Sequence, residues 1–344
     1  MRYKKDFLDN LLEESSLNEI VGQSKVKKQL KSALLTDRNV LLIGPPGVGK
    51  TTLAKSVARL LPDIKAMDCG FNCFSDVPLC PRCLDDRSEN EVTVEGEERF
   101  VRIQGSPDLT VEDLLGDIDP VKALEYGPTS LEAFKPGKIF KANNGILFFD
   151  EVNRAPERVQ NSLLQVLAEG KATLSNYDID FPANLILIAT MNPEDSSTEP
   201  LSDVFLDRFD VIHVGYPESF EEEKEIVPKN SNPIEDVKFS EDILDLLIHF
   251  IRDLRNDVNL EKKPSVRASI GMYERMTSTA FISGRDKVNL NDMKDNLVSV
   301  LSHRLRLNPT KKYTENTDDY ILRKFKNFLS RRKIDIPGNV SDSP

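Results

Sequence analysis

Four short apolar runs mark the first two-thirds of the chain: NVLLIG (39–44), GILFFD (145–150), LILIAT (185–190) and FDVIHVGY (209–216). Runs of this length without polar alternation are the pattern of strands buried on both faces of a parallel sheet. Segments with helical spacing lie between them. TTLAKSVARLLP (51–62) stops at Pro62, and PERVQNSLLQVLAEG (156–170) opens on proline and closes on glycine, as helices do at their two ends. TVEDLLG places Thr110 as an N-cap before an acidic first turn. EVTVEGEERFVRIQGSP (91–107) alternates as a strand pair would and then breaks, and residues 1–38 read as two helical segments around the turn-like LNEIVGQ. Strands alternating with helices predict a parallel sheet covered on both faces.

The pattern changes near residue 230. KNSNPIED (229–236) has linker composition, and helical spacing takes over in EDILDLLIHFIRDLR, VRASIGMYERMTSTAFI, LNDMKDNLVSVLSHRLRL and DDYILRKFKNFLSRR. No fixed-period repeat is present. The expected organisation is a three-layer α/β domain over residues 1–230 and a smaller all-α domain over 231–336. The tail 337–344, PGNVSDSP, has the composition of a disordered segment.

Composition narrows the class. Of 344 residues, 39% are hydrophobic and 30% charged, enough apolar surface for a core. No run of eighteen apolar residues exists, and MRYKKDFLDNLLEESS lacks the apolar centre of a signal peptide. A cytoplasmic protein without a membrane partner is therefore expected. The net charge of −11 argues against a large nonspecific nucleic-acid surface. The three histidines are scattered, away from the cysteines and from the candidate chemistry below.

That chemistry begins at the end of the first run. GPPGVGKT (44–51) fits G-x-x-x-x-G-K-S/T between a predicted strand and a predicted helix, the context in which the motif has meaning. Backbone N–H groups of Gly44, Pro45, Pro46, Gly47, Val48 and Gly49, prolines excepted, and the helix start through Thr52 are expected to cradle phosphate. Lys50 is the candidate for the β- and γ-phosphates of ATP, and Thr51 for Mg²⁺. The bland alternative is a glycine-rich turn that binds nothing. GILFFDEVNR ends its strand on Asp150 and Glu151. Asp150 is placed to hold Mg²⁺ through water, and Glu151 to polarise an attacking water. Most Asp-Glu pairs are solubilising strand ends; this one follows a buried strand in a chain that already carries a phosphate loop.

These residues resemble an AAA+ ATPase, of the branch with the magnesium-chelatase I subunit and the MoxR-type ATPases, from about Leu17 to Leu307. The resemblance implies a P-loop domain followed by a helical lid. In EIVGQ (19–23) it implies adenine contact, with Val21. In IATMNPED (188–195) it implies that Asn192 helps place the water. In FLDRFD (205–210) it implies an arginine finger, Arg208, that reaches a neighbour's site; in PSVRAS (264–269), a γ-phosphate contact by Arg267, in cis or in trans. The bland counterparts are an ion pair of Arg208 with Asp207 or Asp210, a strand-end turn at Asn192, and an exposed helix arginine at Arg267. GDIDPVKALEYGPTSLEAFKPGKIFKANNG (116–145) resembles the chelatase helix-2 insertion, and KATLSNYDIDFPAN (171–184) a pre-sensor-1 hairpin. DEVNRAPERVQNSLLQ, with Arg154 and Pro156, is closer to MoxR-type sequences.

An arginine stabilises a transition state only if it reaches the phosphate. Arg208 lies just past the third strand, far in sequence from Lys50, so as a finger it acts across an interface in a homo-oligomeric ring, which the resemblance implies is six-membered by preference. The resemblance implies a motor that remodels a partner chain, such as a chelatase D-type subunit; the alternative is a MoxR-type remodeller acting with a von Willebrand A-domain protein. A nucleic-acid motor is a third reading. It is disfavoured by the net charge and by NYDID (176–180), which offers no lysine or arginine at the hairpin tip.

All four cysteines, Cys69, Cys73, Cys80 and Cys83, fall in CGFNCFSDVPLCPRC. The spacing C-x3-C-x6-C-x2-C suits four thiolates around a structural Zn²⁺. An iron–sulfur cluster, redox-sensing thiols and unligated cysteines are the other readings. Few local residues, Phe71, Phe74, Val77 and Leu79, offer themselves as a core, so the loop needs a staple.

Overall fold

The computed structural model describes residues 4–76, 80, 83, 90–128, 130–174, 179–193, 195 and 201–334. The chain divides into two units, Met1–Pro45 with Gly49–Val214, and Pro46–Val48 with Gly215–Pro344.

The first unit is built on five strands: β1 (Asn39–Ile43), β2 (Phe100–Gln104), β3 (Ile146–Asp150), β4 (Ile186–Met191) and β5 (Phe209–His213). They pair in the order β5-β1-β4-β3-β2, every pair parallel. Leu41, Leu147, Phe149, Leu187 and Ala189 join one core, with Leu163 of the helix Glu157–Glu169 and Phe205. The alternate residues Val40, Leu42, Phe148 and Ile188 are equally buried. Side chains alternate between the faces of a strand, so both faces are covered, which is why these runs carry no polar alternation.

Parallel pairing aligns the carboxyl ends of the strands along one edge, where open α/β sheets bind ligands. The register places Ile43 beside Met191, Ala189 beside Phe149 and Gln104 beside Asp150. Gly44, Asn192 and the Asp150–Glu151 pair therefore emerge at the same edge.

One sequence expectation is corrected. Residues 91–107 do not form a strand pair. Glu91–Val94 pairs antiparallel with Ile64–Met67, while Phe100–Gln104 becomes β2 of the central sheet. The turn Glu97–Arg99 separates them, and the buried Arg99 side chain donates to the carbonyls of Asn144 and Pro62. A buried guanidinium with such partners fixes the crossing. The two insertions form local antiparallel pairs, Gly116–Ile118 with Phe134–Pro136 and Lys171–Leu174 with Ile179–Pro182. The tip of the second lies outside the described residues. So does the tail 337–344.

The second unit carries the helices Phe220–Lys229, Glu241–Arg255, Val266–Ile282, Leu290–Leu301 and Thr317–Arg332. It is not wholly helical: Leu260–Lys262 pairs antiparallel with Arg306–Leu307. The helix Phe220–Lys229, which sequence reading left in the first domain, groups here. The reason is Glu223, fully buried and gripped by the Arg255 fork at 2.8 and 2.9 Å and by Ser269 Oγ at 2.8 Å. Burial alone would push the Glu223 carboxyl up; Arg255, Ser269 and Arg252 outweigh it and hold it below its usual value of 4.5. Among the described residues no helix is long and apolar enough to cross a membrane.

A carboxyl held below its unfolded value stabilises the fold above that value and loses the contribution as pH falls through the folded one. Glu223→Gln, which leaves Arg255 buried without its counter-charge, is expected to cost about 3–5 kcal/mol, read as a lowered denaturant midpoint for the second unit at neutral pH. An unchanged midpoint contradicts the assignment.

Candidate active site

The loop after β1 has a backbone suited to an anion. The Gly44 N–H donates to Met191 O at 3.2 Å, so the loop starts from a pinned strand end. Gly47 and Gly49 have φ of 79° and 94°, in the left-handed region that glycine tolerates best. Gly49 caps the helix Lys50–Ala58 without a side-chain acceptor, which leaves first-turn N–H groups to a ligand. Lys50 Nζ folds back onto Gly44 O at 2.5 Å and Pro45 O at 2.9 Å. Thr51 is half-buried in the first turn, Thr52 is exposed, and Val48 is buried. Pro46, Gly47 and Val48 belong to the second unit, where a Cβ on Gly47 would meet Ser265 Oγ at 2.8 Å and the Arg267 side chain at 3.0 Å. Val21 is half-buried. Its segment is fastened beside the loop helix by the ion pair of Glu19 with Arg59, and by Lys27 Nζ on Ile20 O at 2.5 Å.

Beside this loop, β3 delivers the carboxylates. Thr190 Oγ1, on the adjacent strand β4, donates to Asp150 Oδ1 at 2.6 Å and accepts the Glu151 N–H at 2.9 Å. Thr190 is fully buried. Glu151 itself is left-handed, φ 54°. Gly105 packs against it so closely that a Cβ would lie 2.0 Å from Glu151 O, which only glycine avoids. The Glu151 Oε2 atom accepts from Gln104 Nε2 at 3.0 Å and pairs with Arg154 Nη1 at 2.9 Å. Arg154 also donates through Nε to Asp195 Oδ2 at 2.7 Å, and this hydrogen bond raises its pKa. Arg102 Nη2 holds Asp150 Oδ2 at 2.6 Å.

Sequence reasoning missed Thr190, Arg102, Gln104 and the Arg154–Asp195 pair. Arg102 and Gln104 sit two apart on β2, a period that aims both at one face, but the alternation over 91–107 has the same signature as a hairpin.

Asn192 follows the last residue of β4, whose neighbour is Ile43 at the mouth of the loop. It is half-buried. The sheet thus brings Gly44, Lys50, Asp150, Glu151 and Asn192 to one edge. It does not bring Arg208 there. Arg208 precedes β5, whose first residue pairs with Asn39 at the opposite end of β1. Five strand residues separate the two ends, roughly 16 Å, and Arg208 is exposed, with a loose 3.8 Å pairing to Asp207. Arg267 is exposed on the second turn-forming residue of Val266–Ile282, in the other unit.

Away from this edge the four cysteine thiols converge. Their Sγ atoms all lie within 4.8 Å of one another, all four residues are buried, and none is disulfide-bonded. The N–H groups of Cys80 and Cys83 donate to Cys73 Sγ and Cys80 Sγ at 3.4 Å. Hydrogen bonds from Cys73 and Cys80 hold the Cys69 thiol down at about 2, whereas Cys80, bonded to Cys69, is pushed up to about 12 and burial raises Cys83 to about 12. A Zn²⁺ with four sulfur ligands at about 2.3 Å spaces them about 3.8 Å apart, so the donor set fits with a small contraction.

The loop is not left to its own core. Phe71 packs against Phe134, Phe140 and Phe181 with centroids 5.4–6.3 Å away. Asn72 Nδ2 donates to Lys141 O at 3.0 Å, Asn143 Nδ2 to Phe71 O at 2.9 Å and Asn144 Nδ2 to Asn72 O at 2.9 Å. Val77 and Leu79 lie outside the described residues.

A phosphate loop on β1 of a β5-β1-β4-β3-β2 parallel sheet, with paired carboxylates closing β3 and a helical unit following, defines an AAA+ P-loop ATPase. Residues 87–211 match the ATPase family associated with various cellular activities, residues 16–70 magnesium chelatase subunit ChlI, and residues 253–324 the AAA lid domain. A magnesium-chelatase subunit ChlI homolog from Methanocaldococcus jannaschii is 29% identical over 323 residues, covering 84% of this chain and 85% of that one. The chloroplastic ChlI subunit of Oryza sativa subsp. indica is 31% identical over 319 residues, covering 84% and 75%. A RuvB mutant from Thermotoga maritima shares the fold, with a TM-score of 0.52 at 19% identity over 94% of this chain and 87% of that one. The chain belongs to the magnesium-chelatase subunit ChlI family.

Thr190→Val removes the donor to Asp150 and the acceptor for the Glu151 N–H together. A lost buried hydrogen bond costs about 1–3 kcal/mol, so ATP turnover is expected to fall about tenfold or more while Thr190→Ser stays near the parent. Equal rates for valine and serine contradict the bridging role.

Proposed function

We propose that this chain is the ATP-driven motor of a chelatase-type assembly, coupling Mg-ATP hydrolysis to remodelling of a partner chain. The observation that carries the reading is the Thr190-bridged Asp150–Glu151 pair beside the phosphate loop, in a chain related to ChlI subunits over most of its length.

In this reading Glu151 orients the attacking water and draws off its proton. The contacts from Gln104 and Arg154 both fall on Oε2, so among the described residues Oε1 is the oxygen that would take the water. Asn192, at the next strand end, helps position it. Lys50 leaves its loop carbonyls for the β- and γ-phosphates, and Val21 packs at the base. Thr51 and Asp150 would hold Mg²⁺, which when bound would supply positive charge to the phosphate oxygens. Arg267 contacts the γ-phosphate, and its proximity to Gly47 within the second unit supports that role.

Arg208 completes the site from a neighbouring copy. Its place at the far end of the sheet supports action in trans, hence a ring, six-membered by preference. The insertions would meet the partner. Within 116–145 the helix Pro120–Tyr126 exposes Val121 and Leu124, the latter 92% exposed, apolar surface suited to another protein. The ChlI relationship favours a D-type chelatase subunit as that partner, with a von Willebrand A-domain protein as the other candidate. The cysteine cluster takes a structural Zn²⁺ off the catalytic path.

Glu151→Gln is expected to keep ATP binding and to lower turnover at least about 100-fold; unchanged turnover contradicts the assignment. Metal analysis of chain purified without added metal is expected to find near-stoichiometric zinc, and four titratable thiols with no bound metal would exclude the site.

A further inference from the structure

The carboxylate of Asp150 is already spoken for on both sides. Its Oδ1 takes the Thr190 hydroxyl and its Oδ2 the Arg102 guanidinium, each at 2.6 Å. The two contacts differ in kind. Thr190 is a fully buried residue of a central strand. Arg102 stands on β2, the edge strand, with half of its side chain exposed against 14% for Asp150. A neutral hydroxyl adds no positive charge at the carboxylate, whereas a guanidinium on it repels a cation brought to the same group and weakens its hold.

We infer that Arg102 is a displaceable counter-cation that competes with Mg²⁺ for Asp150. This rests on the reading of Asp150 as the Mg²⁺ ligand. Arg102 pairs with Asp150 as Arg154 pairs with Glu151. When Mg-ATP arrives, Arg102 gives up the carboxylate. The surroundings allow both positions. Arg102 lines an open groove of about 490 Å³ together with Glu98, Lys138 and Lys141. The groove leaves open space beside Arg102 and carries a further carboxylate, Glu98. The two lysines add positive charge that favours return to Asp150 once the metal leaves. Gln104 Oε1 accepts from the same Nη2 at 3.1 Å, so the movement is also felt one residue away from Glu151, which Gln104 holds.

A merely structural ion pair would pin the edge strand and have no effect on the metal. The full chain distinguishes the two when binding of a fluorescent ATP analogue is followed during titration with Mg²⁺, with thermal melts in chelator as a folding check. Arg102→Ala and Arg102→Gln are expected to lower the half-saturating Mg²⁺ concentration roughly fivefold, the scale of a half-exposed ion pair. Arg102→Lys, which keeps the charge, is expected to stay near the parent. In an Asp150→Asn background, which by itself raises the Mg²⁺ requirement, Arg102→Ala is expected to shift nothing. An unchanged or raised requirement in Arg102→Ala and Arg102→Gln, with Asp150→Asn still raising it, overturns the role of Arg102 and leaves the Asp150 reading standing. If Asp150→Asn leaves the requirement unchanged, the Asp150 reading itself fails and the inference with it.

Discussion

The hydroxyl of Thr190 is the point on which the site turns. It lies on β4, the strand between the phosphate loop and the carboxylates, and that strand serves both neighbours. On one side Met191 O receives the Gly44 N–H that starts the loop. On the other, Thr190 Oγ1 bonds the Asp150 side chain and the Glu151 backbone. A one-residue slip of β4 would break both attachments and turn Thr190 to the other face. Burial prevents the slip: Leu187, Ile188 and Ala189 have no exposed surface. The hydrophobic register thus sets the distance between the phosphate loop and the carboxylates of Asp150 and Glu151.

The same strand directions account for the placement of Arg208. A parallel sheet collects carboxyl ends at one edge and amino ends at the other. A residue that precedes β5 is kept from the phosphate loop of its own chain by the length of β1. The constraint that builds the site in one copy therefore supports its completion by another.

The cysteine loop illustrates how magnitudes rank two sources of order. Aromatic contacts such as those of Phe71 contribute about 0.5–1.5 kcal/mol each beyond burial, whereas a structural Zn²⁺ site contributes about 10–16 kcal/mol at neutral pH. The rings and asparagines decide where the loop lies, against Phe134 of one insertion and Phe181 of the other. The four converging thiols are the one group in the loop that a bound cation would stabilise on the larger scale. A cluster anchored to both insertions is well placed to keep them in fixed relation.

Much of this was legible from residue order. The phosphate loop, the apolar strand that ends in Asp150 and Glu151, and the main helices follow from local pattern, because each is specified by neighbours in sequence. β2 was not, because it is a half-exposed edge strand whose Arg102 and Gln104 alternate with apolar residues, a signature shared with a hairpin. Thr190 was hidden because a threonine in a buried strand announces nothing until the register shows what lies beside it. The partners of Phe71 lie more than sixty residues away in the chain, beyond any local signal, and the grouping of the helix Phe220–Lys229 with the second unit rests on Glu223 meeting Arg255, a contact made only in the fold. Phosphate release from Mg-ATP by the purified chain, compared with Lys50→Ala, tests the central claim most directly. The account predicts Mg²⁺-dependent release that the substitution abolishes; release that persists unchanged in Lys50→Ala would contradict it.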